Sequence, residues 1–190
     1  MKHAVIISGP NGSGKSTFAI EYVKDYKYDF INADEIEKKL ENPGTVKSHL
    51  QAGRIFFKNL KNQIVNNNSF IIESTLSGKY LIKFIKELRM KDYYITIIFV
   101  TLDTPDYCNE RIKDRVKKGG HFVSPEDVER RFYRSKENFW NIYKKLADDW
   151  IAILNSSERP ETFLVGEKDN YIILNEFIYK KFLEDINESR

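Results

Sequence analysis

Gly9-Pro10-Asn11-Gly12-Ser13-Gly14-Lys15-Ser16, followed by Thr17, satisfies the pattern G-x-x-x-x-G-K-[ST]. The stretch lies between an apolar run, His3 to Ser8, and a helical one, Gly14 to Tyr26. In that strand-turn-helix setting, glycines let successive backbone N–H groups converge on phosphate oxygens, and the helix N-terminus adds the positive end of its dipole. Lys15 can then bridge the β- and γ-phosphates, and the Ser16 hydroxyl can join a magnesium shell. A chance match arises in roughly one chain in a hundred of this length. The alternative is an ordinary glycine turn, which has no need of its strand and helix. Gly9 to Thr17 is therefore read as a P-loop, and every residue in it as a nucleotide contact.

Outward from the P-loop, apolar runs of strand length alternate with helical periodicity, which predicts an α/β fold with a mostly parallel sheet. Tyr28 to Asn32 reads as the second strand, near the first, and Ser69 to Glu73 as the third. Tyr93 to Thr101 reads as a long buried fourth strand and Trp150 to Leu154 as a fifth. Between them, Val46, Leu50, Gly53, Phe57, Leu60 and Ile64 recur at helical spacing after the turn cluster Glu41-Asn42-Pro43-Gly44, and Lys79 to Lys91 forms a further helix. Pro105 opens a helix that runs to about Lys118 and stops at Gly119-Gly120. Ser124-Pro125-Glu126-Asp127 starts the next, with a serine cap, a first-turn proline and first-turn carboxylates, and its apolar stripe continues through Phe139 and Ile142 to Leu146. Phe163 to Val165 and Tyr171 to Leu174 suggest a hairpin, and the chain closes on a helix. The expected architecture is a three-layer α/β/α P-loop fold of the nucleotide-kinase type. It has five strands, a helical lid at about 105–146, a small C-terminal hairpin and helix at about 160–190, and one domain spanning 1–190.

Composition limits the partners. A net charge of +3 on 190 residues, with lysines and glutamates interspersed, gives no reason to expect nucleic acid. The single cysteine, Cys108, can form no internal disulfide and reads as a helix packing residue in a reducing compartment. The first strand begins almost at Met1, which leaves no room for a signal peptide, and no apolar run is long enough to cross a bilayer, so a cytoplasmic protein is expected.

A P-loop serves kinases, GTPases, motors and transporters alike, so the polar residues at strand ends must separate them. In an open parallel sheet ligands gather at the carboxyl ends of strands, where Asp34, Glu73 and Asp103 stand. Asp34 could orient an acceptor hydroxyl and take its proton, or cap the helix beginning at Glu35. Glu73, followed by Ser74 and Thr75, occupies a position suited to a metal-bound water, or is a plain strand-end carboxylate. Asp103 precedes Thr104-Pro105 and reads equally well as a helix cap. Arg111 and Arg115 share a helix face, and Arg130, Arg131 and Arg134 follow on the return helix. Two helices joined by a Gly-Gly hinge could close arginines over a triphosphate and exclude water, or simply carry a solvated basic face.

Gly9 to Thr17, Asn32-Ala33-Asp34-Glu35, Ala52-Gly53-Arg54, Glu73-Ser74-Thr75-Leu76-Ser77-Gly78 and Arg115-Val116-Lys117-Lys118-Gly119-Gly120-His121 together resemble the zeta-toxin family of P-loop kinases in order and spacing. The resemblance implies magnesium, ATP or GTP as donor, and Asp34 as the base for an acceptor hydroxyl. It also implies Glu73 and Thr75 near the substrate. Arg54 and His121 are further candidates for substrate contact, Lys15, Arg115 and Arg131 for catalysis, Arg111 and Arg130 for nucleotide contact, and Ser16 with Glu73 for the metal. Toxin members phosphorylate a nucleotide sugar, UDP-N-acetylglucosamine, and have a small antitoxin partner. The chain departs from the pattern in having His121 where a lid arginine is usual, and in a shorter C-terminal part. Two other classes remain open: an ATPase that couples hydrolysis to movement, for which Leu76-Ser77-Gly78 superficially matches a transporter signature, and a nucleotide-binding module whose output is a protein contact.

Overall fold

In a computed structural model of the chain, which describes residues 1–188, one sheet of seven strands runs in the order β2-β3-β1-β4-β5-β6-β7. The strands are β1 (Lys2–Ser8), β2 (Asp29–Ile31), β3 (Phe70–Ser74), β4 (Tyr93–Thr101), β5 (Asp149–Leu154), β6 (Glu161–Glu167) and β7 (Asn170–Ile173). The first five are parallel neighbours, β6 adds antiparallel to β5, and β7 adds antiparallel to β6. The expected hairpin thus extends the sheet beyond the five strands read from sequence. The final two residues of the helix expected at about 160–190 lie outside the described residues.

Strand order follows from burial. β1 and β4 carry near-continuous apolar runs and occupy the centre, where both faces are covered. β2 is only three residues long, begins with the exposed Asp29, and takes the edge. It pairs with β3 and not with β1, as its place in sequence had suggested, because the fully apolar Phe70-Ile71-Ile72 segment fills the position beside β1.

Alternation along the strands builds two cores. Ala4, Ile6, Phe70, Ile72, Ile95, Ile97 and Phe99 point to one face. That face is covered by α3 (Val46–Val65), α4 (Leu81–Met90) and the C-terminal α7 (Glu176–Glu188). Val5, Ile7, Ile71, Ile98 and Val100 point to the other, under Phe18, Ala19, Tyr22 and Val23 of α1 (Lys15–Tyr26). Between β2 and α3 lies the short α2 (Ala33–Lys38).

The lid helices are α5 (Pro105–Lys117) and α6 (Pro125–Asn138). They share a small core of Leu102, Cys108, Ile112, Val123, Val128 and Phe132. Burial there pushes the Cys108 thiol up to about 12, so it packs as an inert apolar group. Ser124 caps α6 by accepting from the Asp127 N–H, with Pro125 following it, as its sequence predicts. The helix expected to run on to Leu146 instead ends at Asn138 and continues as a π-helical turn, Phe139–Tyr143, then a 3₁₀ turn, Lys144–Leu146. The wider turn brings Phe139 to stack on Phe99 at 4.4 Å while the Tyr143 hydroxyl donates to the Gly78 carbonyl at 2.7 Å.

Candidate functional site

The P-loop passes from the end of β1 to the start of α1 through three glycines at positive φ, Gly9 (134°), Gly12 (81°) and Gly14 (96°). A side chain at Gly9 would place Cβ 1.8 Å from the Val100 carbonyl oxygen, and one at Gly12 would meet the Cys108 backbone at 2.6 Å. The loop is therefore tied by close approach to β4 and α5, and only glycine fits. Its curvature leaves a cleft of 340 Å³, whose wall includes Asn11, Lys15, Ser16, Asp34, Glu73 and Thr75.

Lys15 is buried, and its amine donates to the Pro10 carbonyl at 2.8 Å and faces Glu73 at 3.9 Å. Burial lowers the Lys15 pKa and raises that of Glu73, while each charge partly offsets the other's shift. The Glu73 carboxylate also accepts from Ser16 Oγ at 2.9 Å and from Asn32 Nδ2 at 2.8 Å. Ser16 and Glu73 thus offer two hard oxygen donors side by side, a set that fits magnesium. No group of three or more His, Cys, Asp or Glu among the described residues could hold a metal by itself. A hexacoordinate ion here would have to complete its shell with water and phosphate oxygens.

Asn32 performs a second task, the helix cap that the sequence left open as an alternative for Asp34. Its side chain caps α2, accepting from the Asp34 N–H at 2.7 Å and the Glu35 N–H at 3.3 Å. The capping alternative for Asp34 is overturned: Asp34 lies inside the first turn, exposed, with its carboxylate free to face the cleft. The capping alternative for Asp103 fails as well. Thr104 caps α5, and Asp103 lies outside the cleft, paired with Lys181 of α7 at 3.2 Å. Partial burial pushes its carboxyl up, but Ser156 and Lys181 outweigh that and hold it below the usual range.

The arginines divide. Arg111, Arg115 and Arg131 line the cleft. Arg111 donates to the Asn155 carbonyl oxygen at 2.7 Å, Arg115 to the His121 carbonyl at 2.7 Å, and Arg131 to Asn11 Oδ1 at 3.3 Å. Arg130 points outward and pairs with Asp127 at 2.5 Å, away from the phosphate cleft. Arg54 is exposed on α3, on a separate surface beside Leu50 and Phe57, so the structure does not bring it to the cleft. His121 lines an adjoining hollow together with Asp34 and Arg131. The Gly119-Gly120 pair ends α5, with both N–H groups donating back to its last turn, and Gly120 packs where a Cβ would lie 2.4 Å from Arg115 Cγ.

Two contributors were missed. Asn155, just past β5, donates to the Ser13 carbonyl at 2.8 Å while its own carbonyl oxygen holds Arg111. The strand-end rule, had it been applied to amides as well as acids, would have found it. Tyr80 joins the cleft wall through a hydroxyl contact with Ser74 at 2.9 Å, and nothing in its sequence neighbourhood signals this.

Residues 5–139 match the family model described as an AAA domain. An uncharacterised protein of Haemophilus influenzae is 30% identical over 129 residues, which cover 68% of this chain and 91% of that one. Among solved structures, a chain of AvrRxo1-ORF1:-ORF2 with ATP superposes with a TM-score of 0.75 at 14% identity, covering 96% of this chain, which spans 63% of the length of that one. A chain of the PezAT chromosomal toxin-antitoxin system of Streptococcus pneumoniae gives 0.66 at 13% identity over 100% of this chain and 87% of that one. A gluconokinase from Sinorhizobium meliloti 1021 gives 0.51 at 11% identity, over 99% and 89%. The chain belongs to this AAA-domain family, and it has the three-layer α/β fold of P-loop kinases.

Proposed function

We propose that this chain, as one unit, is a phosphotransferase that moves the γ-phosphate of ATP or GTP to a hydroxyl of a small molecule. The observation that carries the reading is that the P-loop, Asp34 and three arginines from two lid helices face a single cleft. The backbone N–H groups of Gly12 to Thr17 and the Lys15 ammonium would cradle the β- and γ-phosphates. Asp34 would accept the hydroxyl proton as the acceptor oxygen attacks phosphorus and the bond to the β-phosphate oxygen breaks. Arg111, Arg115 and Arg131 would neutralise charge on the transferring group, and α5 and α6 would exclude water. Magnesium held by Ser16, with Glu73 beside it, would supply charge neutralisation and orientation of the phosphates.

Asp34→Asn should lower transfer by about 10²- to 10⁴-fold while leaving nucleotide affinity unchanged. Transfer at the wild-type rate in that variant would exclude the mechanism. The motor or transporter alternative is disfavoured by Leu76, which is buried in the core, and by Gly78, whose carbonyl is taken by Tyr143, so the signature-like segment is not presented to a partner. Rapid ATP turnover without any acceptor would revive it.

Within this class we place the chain with the zeta-toxin type and take a nucleotide sugar as the first acceptor to try. The likeness to a PezAT chain over 87% of that chain's length supports this placement. The same likeness supports a second reading, a toxin-like module held by a small antitoxin. Stable co-purification with a small protein encoded beside it would favour that reading.

A further inference from the structure

The two edges of the sheet are guarded differently. β2, at one edge, is three residues long and opens with the charged Asp29. β7, at the other, is Asn170-Tyr171-Ile172-Ile173, with no charge and no proline, and among the described residues no strand pairs with its outer side. Edge strands are usually defended by lysine, proline or a bulge, because their free N–H and C=O groups recruit another strand.

The open groups of β7 can be assigned. Val165 of β6 lies opposite Ile172, and the Leu174 N–H donates to the Phe163 carbonyl at 2.9 Å. Alternation along an antiparallel strand then turns the N–H and C=O of Ile172 toward β6, and those of Tyr171 and Ile173 toward the open edge. Side chains alternate between the two faces. Tyr171 packs against Trp140 and against Tyr179 of α7. Ile172 stands on the opposite face and is 64% exposed. There it continues a cross-strand row, Ile151-Val165-Ile172, along a hollow of 460 Å³ lined by β5, β6 and β7 alone.

Symmetry about Ile172 selects the occupant. When Ile172 faces Ile172 of a second copy, Tyr171 falls opposite Ile173, and Lys168 opposite Glu176. Lys168 and Glu176 are exposed, and neither side chain has an ion-pair partner among the described residues. Asp169 falls opposite the neutral Asn175 and is already paired with Lys144 at 2.8 Å, so no like charges meet. Centring the pairing on Tyr171 or Ile173 instead sets Lys168 against Leu174 or Ile178 and loses the charge match.

We infer that this chain forms a two-fold dimer in which β7 of each copy pairs antiparallel with β7 of the other, centred on Ile172. Tyr171 of one copy and Ile173 of the other exchange backbone hydrogen bonds, and Lys168 of each reaches Glu176 of the other. The two Ile172 side chains meet as a close, non-hydrogen-bonded pair, so the apolar row runs unbroken from one sheet into the next. The phosphate cleft contains no residue of β6, β7 or α7, so the dimer leaves it open. The inference is independent of the phosphotransferase reading.

The test is sedimentation velocity, in which the wild-type chain should pass from monomer to dimer across about 1–200 µM, as expected of a small interface. Ile172→Lys, which sets like charges directly across the axis, should weaken dimerisation by about tenfold or more. Lys168→Glu and Glu176→Lys should each weaken it by about three- to tenfold. The double variant restores opposite charges and should return to within about twofold of wild type. All three side chains are exposed, so each variant should keep the wild-type melting temperature and affinity for a non-hydrolysable ATP analogue. A wild-type chain that stays monomeric throughout, which would leave the edge to a strand of another protein, would overturn the inference. So would a dimer that survives Ile172→Lys, or a double variant no tighter than the single ones.

Discussion

Gly14 enters α1 at φ 96° and ψ 12°, and a Cβ built there would lie 2.4 Å from Asn155 Nδ2. That amide donates to the Ser13 carbonyl, and the Asn155 backbone oxygen holds Arg111. In Gly14→Ala, the left-handed backbone costs about 1–2 kcal/mol, and the displaced amide loses a hydrogen bond of about 1 kcal/mol. The variant should therefore be destabilised by about 2–3 kcal/mol, a large share of a typical folding free energy. Asn155→Ala alone should cost about 1 kcal/mol. In the double variant the obstructing amide is already gone, so the total should stay near that of Gly14→Ala, with a coupling of about −1 kcal/mol. Urea unfolding of the four proteins measures this cycle directly. Additive effects, or a Gly14→Ala variant of wild-type stability, would show that Asn155 does not brace the P-loop and that the glycine is not demanded by its surroundings.

Leu76 adopts φ 54° yet is fully buried, so Leu76→Gly relieves backbone strain of about 1–2 kcal/mol while deleting a core side chain worth about 2–5 kcal/mol. The second effect is larger, and thermal melting should show net destabilisation of about 1–3 kcal/mol; a stabilised variant would mean the strain had been understated. Burial pushes the Glu37 carboxyl up, but hydrogen bonds from Ser48, the Gly44 N–H and His49 outweigh it and hold the folded pKa below its ordinary 4.5, so its contribution to stability is complete above that value and is lost as pH falls through the lower folded value. Glu37→Gln should accordingly cost about 1–3 kcal/mol at pH 7, and the gap between variant and wild type should shrink on acidification below about pH 4.5. A gap that widened in acid would reverse the assigned sign.

The P-loop was legible because its chemistry is local: spacing alone brings Gly9 to Thr17 into one loop, and the structure keeps Lys15, Ser16 and Glu73 together. Strand-end position was likewise enough to bring Asp34 to the cleft, although β2 sits at the edge and not beside β1. What failed was anything decided by a distant neighbour. Arg130 and Arg131 are adjacent in sequence, but only Arg131 faces Asn11, and the choice depends on how α6 rotates over the core of Leu102, Val128 and Phe132. Arg54 looked like a substrate contact because it follows Ala52-Gly53, but the helix periodicity that buries Ala52 and Phe56 turns Arg54 to solvent. The π-helical turn at Phe139 is equally invisible in a 3.6-residue pattern, because it answers to Phe99 on a strand forty residues earlier.

Two buried lysines show, independently of the motif, which region is built for a ligand. Lys136 is paired with Asp185, donates to the Leu102 carbonyl and lies over the Phe132 ring at 3.9 Å, a set of contacts that satisfies it and joins α6 to α7. Lys15 is as deeply buried and burial lowers the pKa of both lysines, but Lys15 has one hydrogen bond, to the Pro10 carbonyl at 2.8 Å, and its carboxylate partner is 3.9 Å away. Ser13 Oγ and Arg115 Nε are two of only three buried side-chain polar atoms left without a hydrogen-bond partner among the described residues, and both belong to the P-loop and the lid that faces it. Unsatisfied buried polar groups cost about 1–3 kcal/mol each and are rare in folded proteins. Of these, Arg115 lines the cleft, where a phosphate oxygen would supply the acceptor that the protein itself withholds.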